Sequence, residues 1–243
     1  MLGIGAAPRA EEIGQLVPPM IANAGLKELD AGYAGPSGVT FKTTVTEIGK
    51  LTAAIKTTVP PPDVIFLPTD MMAKLQADGG IDPASRTGLG RMEIGLAVKA
   101  GAPHPDISSV AKLATVLKNA RAVVYSNPAT GSLEARIIDD LLNRPEFAGV
   151  HKQVSTKGNG ISALARGEGD IALQLVCEIL DRPETELVGP LPAELGAHID
   201  ADIAILKDAP HADQAAAYLR YITQPQAATV WQAKGLTQHA LQR

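Results

Sequence analysis

The segment Asp63-Val64-Ile65-Phe66-Leu67-Pro68 lies between Pro60-Pro61-Pro62 and Thr69-Asp70, and from Val64 to Leu67 it offers no polar side chain to either face of a strand. A strand of this kind must be covered on both sides, which is the situation of a parallel sheet sandwiched by helices. Thr69-Asp70 then caps a helix predicted to run through Ala77. Similar strand-turn-helix units on either side extend the argument to an open α/β sheet.

Upstream, Leu2 to Ala7 reads as a short strand closed by Pro8, and Ile13, Leu16, Val17, Met20 and Ile21 fall at helical spacing within a predicted helix over 9–24, which Pro18-Pro19 should kink or end. Gly25 to Gly38 reads as a long Gly- and Pro-rich loop holding Tyr33. Val39 to Thr46 is a β-branched strand, and Ile48, Leu51, Ala54 and Ile55 mark the helix after it. Met92 to Lys99 is a further strand, followed by the breaker-rich Gly101 to Pro105.

A second α/β set follows. Ser108 and Ser109 cap a helix with Val110, Leu113 and Leu117, Arg121 to Tyr125 is a strand, and Ser126 to Ser132 is a turn opening a helix with Leu133, Ile137 and Leu141. Strands are predicted over 154–159 and 171–176 around a helix at 161–166, a rigid loop over 188–192, a strand over 202–206, and closing helices over 213–222 and 224–233.

Composition narrows the function. The chain of 243 residues has 22 Lys+Arg against 26 Asp+Glu and no basic run, so it lacks the electrostatic footprint of a nucleic-acid binder. Gly and Pro interrupt every apolar stretch well short of the ~20 residues of a membrane span, so no direct membrane insertion is expected. Cys177 is the single cysteine, which excludes an internal disulfide and a thiolate zinc cluster. Only eight residues are Phe, Tyr or Trp, which leaves few rings to stack on sugars or bases. Met1 to Ala7 shows neither the basic n-region nor the apolar h-region of a signal peptide, so the expectation is a periplasmic protein if a leader was removed and a cytoplasmic one otherwise.

Enzyme signatures are largely missing. Gly3-Ile4-Gly5 begins like a dinucleotide fingerprint, but Pro8 occupies the third glycine position. Ser109-Val110-Ala111-Lys112 matches SxxK by letter, yet a serine at a helix start is far more often a cap. The five histidines are scattered, so no metal site and no cofactor are expected. What stands out is a set of turns opening helices: Thr43 to Glu47, Ser126 to Ser132, and Lys157-Gly158-Asn159-Gly160. Unpaired N–H groups and the positive dipole end make such places suited to an anion, although each hydroxyl or amide also has the plainer role of a cap.

In their order along the chain, Asp63 to Pro68, GLAVKAGAPHPDI (Gly95 to Ile107), YSNPATGS (Tyr125 to Ser132), LARGEGDIALQ (Leu164 to Gln174), ELVGPLPAEL (Glu186 to Leu195), Tyr221-Ile222-Thr223-Gln224-Pro225 and Lys234-Gly235-Leu236 resemble the molybdate-binding-protein-like group of bacterial extracellular solute-binding proteins, from about Val39 to Thr237. The resemblance implies an α/β, two-lobed type II periplasmic-binding-protein fold, each lobe a mixed sheet flanked by helices, with two hinge crossings near 92–99 and 200–206. Lobe I would comprise 1–93 and 205–243, lobe II 94–204, with the ligand in the cleft between them. It implies a monomer that holds a small anion, a molybdate-like oxyanion or a small carboxylate, and that serves the membrane subunits of an ABC importer. By position the ligand contacts would be Thr130, Gly131, Ser132, Asn159, Gly160 and the stretch Gln174 to Glu178 in the second lobe, with Thr44 and Thr46 in the first.

Two places depart from the group. Where it has a serine after the first strand this chain reads Ala6-Ala7-Pro8-Arg9, and where it has Ser-Ser-Gly after the second this chain reads Thr44-Val45-Thr46-Glu47-Ile48-Gly49. Ala7 and Arg9 are therefore the first-strand candidates, Arg9 supplying a compensating charge, while Glu47 would repel an oxyanion. No catalytic residue is assigned on this reading. Its rivals are a cytoplasmic sensor of the same fold, and an enzyme using the cleft with Glu47, Glu178 or Cys177 as the reactive group.

Overall fold

A computed structural model of the chain describes residues 12–238. The elements in order are β1 (Glu12–Val17), α1 (Pro19–Ile21), α2 (Lys27–Ser37), β2 (Thr40–Val45), α3 (Ile48–Thr57), β3 (Val64–Pro68), α4 (Thr69–Ala77), β4 (Thr87–Lys99), α5 (Val110–Asn119), β5 (Val123–Tyr125), α6 (Leu133–Leu142), β6 (Lys152–Val154), α7 (Gly160–Ala165), β7 (Ile171–Leu175), α8 (Val176–Leu180), β8 (Thr185–Pro190), β9 (His198–Ile205), α9 (Ala212–Thr223), α10 (Pro225–Ala233) and β10 (Leu236–Thr237). The strands form one sheet in the order β2-β1-β3-β9-β4-β7-β5-β6, with β8 and β10 also paired to β4.

β3 is the doubly covered strand that its composition requires: all five of its residues are buried. It lies parallel to β1, which is parallel to β2, and antiparallel to β9. The 13-residue strand β4 spans about 43 Å at a normal strand rise. Its first part, Thr87 to Glu93, pairs with β9, while Ile94 to Lys99 pairs with β7 and β8. The sheet thus has two halves joined through β4. All of β9, from His198 to Ile205, pairs with β3 or with the first part of β4. The crossing expected at 200–206 therefore lies inside the first half, and the return path precedes it, where Ile94 N–H donates to Ala197 O and Leu191 N–H to Ile94 O.

Several expectations change. Ile13, Leu16 and Val17, predicted on a helix, lie in β1, whose residues from Leu16 onward are all buried. A strand covered on both faces has no strict alternation, so its apolar residues happen to match helical spacing. Pro18-Pro19 resolves the ambiguity: the prolines stand at the N-cap and first position of α1, where a missing N–H costs nothing. Ala7, Arg9 and the strand predicted over 2–7 lie outside the described residues.

The loop predicted over 25–38 is largely helix α2. Gly25, at φ 102°, forms the kink before it, and Gly38, at φ 71°, ends it in the left-handed conformation. The breakers that suggested a loop are boundaries, while Leu29 and Tyr33 anchor the helix in the core. The strand predicted over 154–159 stops at Val154, the loop predicted over 188–192 begins as β8, and β7 gives way to α8 at Val176.

The aromatics are structural. Tyr33 packs against Phe41, Tyr218 and Tyr221 with ring centroids 5.2–6.2 Å apart, and Trp231 is buried with its indole N–H on Ile222 O. Tyr125 is buried and donates its hydroxyl to Asp139. Cys177 is buried and its thiol is pushed well above the usual range by burial first and the Glu178 charge second, which suits a small core residue rather than a nucleophile. No described helix is long and apolar enough to cross a membrane.

Candidate binding cleft

The carboxyl ends of β1, β2, β5, β6 and β7 each lead into a helix, at Pro18, Glu47, Ser132, Asn159 and Leu175 respectively. In open α/β sheets this edge is where ligands bind. Here it opens on a cleft of about 440 Å³. One wall comes from the first half of the sheet: Pro19, Met20, Asn23, Glu47 and Ile48. The other comes from the second half: Ser126, Asn127, Thr130–Glu134, Gly158, Asn159 and Glu178.

The second wall is a connected polar network. Gln174, fully buried on β7, is its hub. Its single amide nitrogen donates both to Glu134 Oε1 (3.0 Å) and to Glu178 Oε2 (2.5 Å), while its Oε1 accepts from Ser126 Oγ (3.1 Å). Asn159 caps α7 by accepting from Ser162 N (3.0 Å), and its Nδ2 donates to Glu178 Oε2 (3.1 Å). Ser132 caps α6 by accepting from Ala135 N (3.3 Å) and also donates to Glu134 Oε2. Both oxygens of Glu134 are thereby occupied. On Glu178 the bonds among described residues fall on Oε2. Burial, and secondarily the charge of Glu134, push the Glu178 carboxyl up to about 7, against the lowering donors Asn159 and Gln174.

Backbone geometry fixes this wall. Gly131, at φ 85°, turns the chain from the short turn Pro128–Thr130 into the α6 cap, a conformation that favours glycine. At Gly160 a Cβ would stand 2.7 Å from Tyr125 Cα and 3.2 Å from Gln174 Oε1. The absence of a side chain there is what lets α7 sit against the end of β5 and leaves room for the Gln174 amide.

The first wall is different. Pro18 and Pro19 remove two N–H groups from the start of α1, and Glu47 stands at the start of α3 without a capping bond. The side chains lining the cleft include no Lys, Arg, His or aromatic residue among the described residues, but they include three glutamates. No cluster of metal-ligating side chains occurs among the described residues. A groove of about 990 Å³ on the outside of the first half, between α3 and α4, is larger, but its charges, among them Lys56, Lys74, Asp78 and Lys207, join in no side-chain hydrogen bond among the described residues. The smaller cleft, with its convergent network, is the better candidate.

Of the residues expected at the site, Thr130, Gly131, Ser132 and Asn159 line the cleft. Gln174 and Gly160 lie just behind the surface, Gln174 reaching it through the two glutamates. Thr130 donates its hydroxyl to Asn127 O (2.7 Å) within the short turn, while the cap of α6 is Ser132. Thr44 and Thr46 are half-buried at the end of β2 but are not among the residues lining the cleft, where Glu47 and Ile48 stand instead. Neither Tyr33 nor Tyr125 lines the cleft. Sequence reasoning missed Pro19, Met20, Asn23 and Glu134. The signal for Pro19 was its position after an apolar run, once that run is read as a strand; Glu134 carried none, since an acid in the first turn of a helix is ordinary. Ser109, the letter match to SxxK, accepts from Lys112 N (3.3 Å) as a cap.

Comparison with known proteins agrees with this architecture. The structure superposes on a Clostridium difficile substrate-binding domain assigned to a molybdenum ABC transporter with a TM-score of 0.77 at 11% identity, covering 95% of this chain and 100% of that one. It superposes on the periplasmic molybdate-binding protein of Azotobacter vinelandii with a TM-score of 0.67 at 18% identity, covering 94% and 100%. These likenesses establish the type II periplasmic-binding-protein fold. A sequence relative, aconitate isomerase of a Pseudomonas species, is 29% identical over 177 residues, covering 72% of this chain and 67% of the relative. Residues 21–237 match the family described as bacterial extracellular solute-binding protein, and the chain belongs to that family.

Proposed function

We propose that the protein captures a small organic acid anion between two lobes and delivers it to an ABC importer, working in the periplasm as an exported protein. The lobes divide at the β4 crossing near Ile94 and at the return path near Ala197, slightly before the boundary at 204–205 that the resemblance implies. Closure by hinge motion about these two paths would bring the walls together over the ligand.

The observation that carries the choice of ligand is the Glu134–Gln174–Glu178 network in a wall without a lining cation. A tetrahedral oxyanion such as molybdate presents acceptors in every direction and needs donors on both walls. Here Pro18 and Pro19 remove N–H groups from the first wall and Glu47 places a carboxylate on it, which leaves Asn23 as its side-chain donor. A carboxylate placed about 5 Å from a second ionised carboxylate costs about 3 kcal/mol at an effective dielectric constant of 20, so an anion fits only where a glutamate can be neutral. A carboxylic acid ligand has one face that accepts from helix N–H groups and Ser132, and a skeleton that suits a cleft of about 440 Å³. The relative that acts on aconitate, a carboxylic acid, favours the same class.

Thermal shift against molybdate, tungstate, sulfate, phosphate, lactate, succinate, citrate and aconitate tests this reading. At least one organic acid should raise the melting temperature by several degrees at millimolar concentration. A rise with molybdate or tungstate alone would replace the organic acid by an oxyanion, and no rise with any of them would remove the anion reading.

A second reading is favoured by that same relative together with the three glutamates that line the cleft: the protein is an isomerase that moves a proton on a bound unsaturated acid. Incubation with trans-aconitate in D₂O, followed by NMR, separates the two. Deuterium entering carbon-bound positions supports catalysis, and binding without exchange supports capture alone.

A further inference from the structure

We infer that Glu178 is the specificity-determining residue of the cleft and that it lends a proton to the ligand, so that capture of an organic acid anion takes up a proton from solvent. This rests on the cleft being the ligand site, as proposed above.

The geometry makes the coupling hard to avoid. Glu134 and Glu178 are tied to one nitrogen, the Nε2 of buried Gln174, so they cannot separate without breaking that bridge. Ser132 and Gln174 donate to the two oxygens of Glu134, so each of them already has a partner. Glu178 differs. Its Oε2 accepts from Asn159 and Gln174, while Oε1 receives no hydrogen bond from the described residues, on a side chain that lines the cleft. A proton added to the pair therefore belongs on Glu178 Oε1, where it converts an acceptor facing the ligand into a donor. The surroundings favour that proton. Glu134 on α6 and Glu47 at the start of α3 are acidic, Asn159 and Gln174 are neutral donors, and the charge of Arg182 just beyond α8 acts on Glu178 in the opposite sense. A third negative charge, that of the ligand, must raise proton affinity further.

No covalent bond of the ligand changes. The proton comes from solvent, sits on Glu178 and is shared in an O–H···O⁻ hydrogen bond with the ligand carboxylate, the short and strong kind. The same feature sets selectivity. A ligand with a localised carboxylate accepts one such bond and meets the helix N–H groups with its remaining oxygens, whereas an oxyanion that needs donors all round finds Glu47 and prolines opposite.

Isothermal titration with trans-aconitate and with lactate, which is fully ionised from pH 5.5 to 9, tests the inference. Titrations at pH 5.5 and 8.5 in two buffers of different ionisation enthalpy count the protons. For lactate, uptake should approach about one proton per ligand at pH 8.5 and fall towards none at pH 5.5. The dissociation constant should be flat at low pH and weaken about tenfold per pH unit above the break. Glu178→Gln, which keeps a donor in the neutral shape, should bind with nearly pH-independent affinity and no proton uptake. Glu134→Gln removes the neighbouring charge and should move the break to lower pH, a shift that a merely structural role would not produce. Binding without proton uptake, or a break that persists in Glu178→Gln, would overturn the inference while leaving the ligand class intact. No binding of either acid at any pH would remove both the inference and the reading beneath it.

Discussion

Replacing Gln174 by leucine removes the hub of the cleft wall without changing side-chain volume greatly, and the structure sets both the size and the pH dependence of the result. The wild-type amide makes one hydrogen bond to Ser126 and two to carboxylates, all from a position with no solvent exposure. Bonds to charged groups contribute about 1.5–3 kcal/mol each, and the neutral one about 1 kcal/mol. Part of this returns, because Glu178 keeps Asn159, Glu134 keeps Ser132, and the leucine gains apolar burial. A net loss of about 3–4 kcal/mol at pH 8 is expected, roughly 6–16 °C in melting temperature for a chain of this size. At pH 5.5 Glu178 is protonated, the repulsion from Glu134 is gone, and the loss should shrink to about 2 kcal/mol. Urea denaturation of both proteins at the two pH values measures this. A loss below about 1 kcal/mol at pH 8, or an equal loss at both, would refute the claim that Gln174 holds two mutually repelling carboxylates together.

Other substitutions separate the parts of the site. The Glu178 carboxyl is raised from 4.5 to about 7 in the folded chain, so the folded state binds more protons than the unfolded one between those values and stability falls as pH rises through that window. Glu178→Gln should abolish that fall, leaving the variant more stable than wild type at pH 8 by about 2–3 kcal/mol and near equal at pH 4.5, as read from melting curves. Asp30, raised to about 6 mainly by burial against the hydrogen bonds of Tyr218 and Gln15, adds a loss of the same sign. Asp30→Asn should flatten the melting profile between pH 4 and 6 without altering ligand affinity, since it lies in the core of the first half rather than in the cleft. Gly160→Ala forces a Cβ to 2.7 Å from Tyr125 Cα, and a cost of about 1–3 kcal/mol with weakened ligand binding is expected in denaturation and titration. Ser132→Ala removes the α6 cap and one donor to Glu134, for a loss of about 1 kcal/mol.

The α/β class was legible because β3 is apolar on both faces and its flanks carry proline stops and a helix start. The order of elements was legible wherever a strand was followed by a capping residue: Ser109, Ser132 and Asn159 all cap the helices predicted after them. The first strand was misread because Ile13, Leu16 and Val17 satisfy helical spacing and burial on both faces erases the alternation that marks a strand. That single error displaced one whole wall of the cleft. It set the first-strand candidates at Ala7 and Arg9, outside the described residues, and passed over Pro19 and Met20, which line the cleft. The second wall was better placed because hydroxyl and amide caps announce themselves, yet its energetics were hidden. Gln174 looked like a ligand contact, but its partners are Glu134 and Glu178, forty residues behind it and four ahead. Nothing in local sequence says that three elements bring these groups to one nitrogen.

This arrangement shifts the question of ligand from the count of hydroxyls to the count of protons. Serines at the ends of the first two strands would give a cleft donors on both walls and so suit an ion that accepts everywhere. In their place this chain has a proline pair and a glutamate, and across from them a carboxyl raised to about 7 by burial first and the charge of Glu134 second. Loss of donors on one wall and a retained proton on the other are complementary. The scarcity of donors alone would weaken the grip on any anion, but with the proton the cleft disfavours an ion with acceptors on all sides and admits one that concentrates its charge in a carboxylate. If that is the logic, restoring a donor on the first wall should change selectivity rather than simply raise affinity. Glu47→Ser gives the start of α3 a capping hydroxyl and removes a charge from the cleft. It should strengthen sulfate or molybdate binding at least tenfold while changing lactate binding by less than threefold, and equal gains for both classes in parallel titrations would show that Glu47 acts only as bulk negative charge.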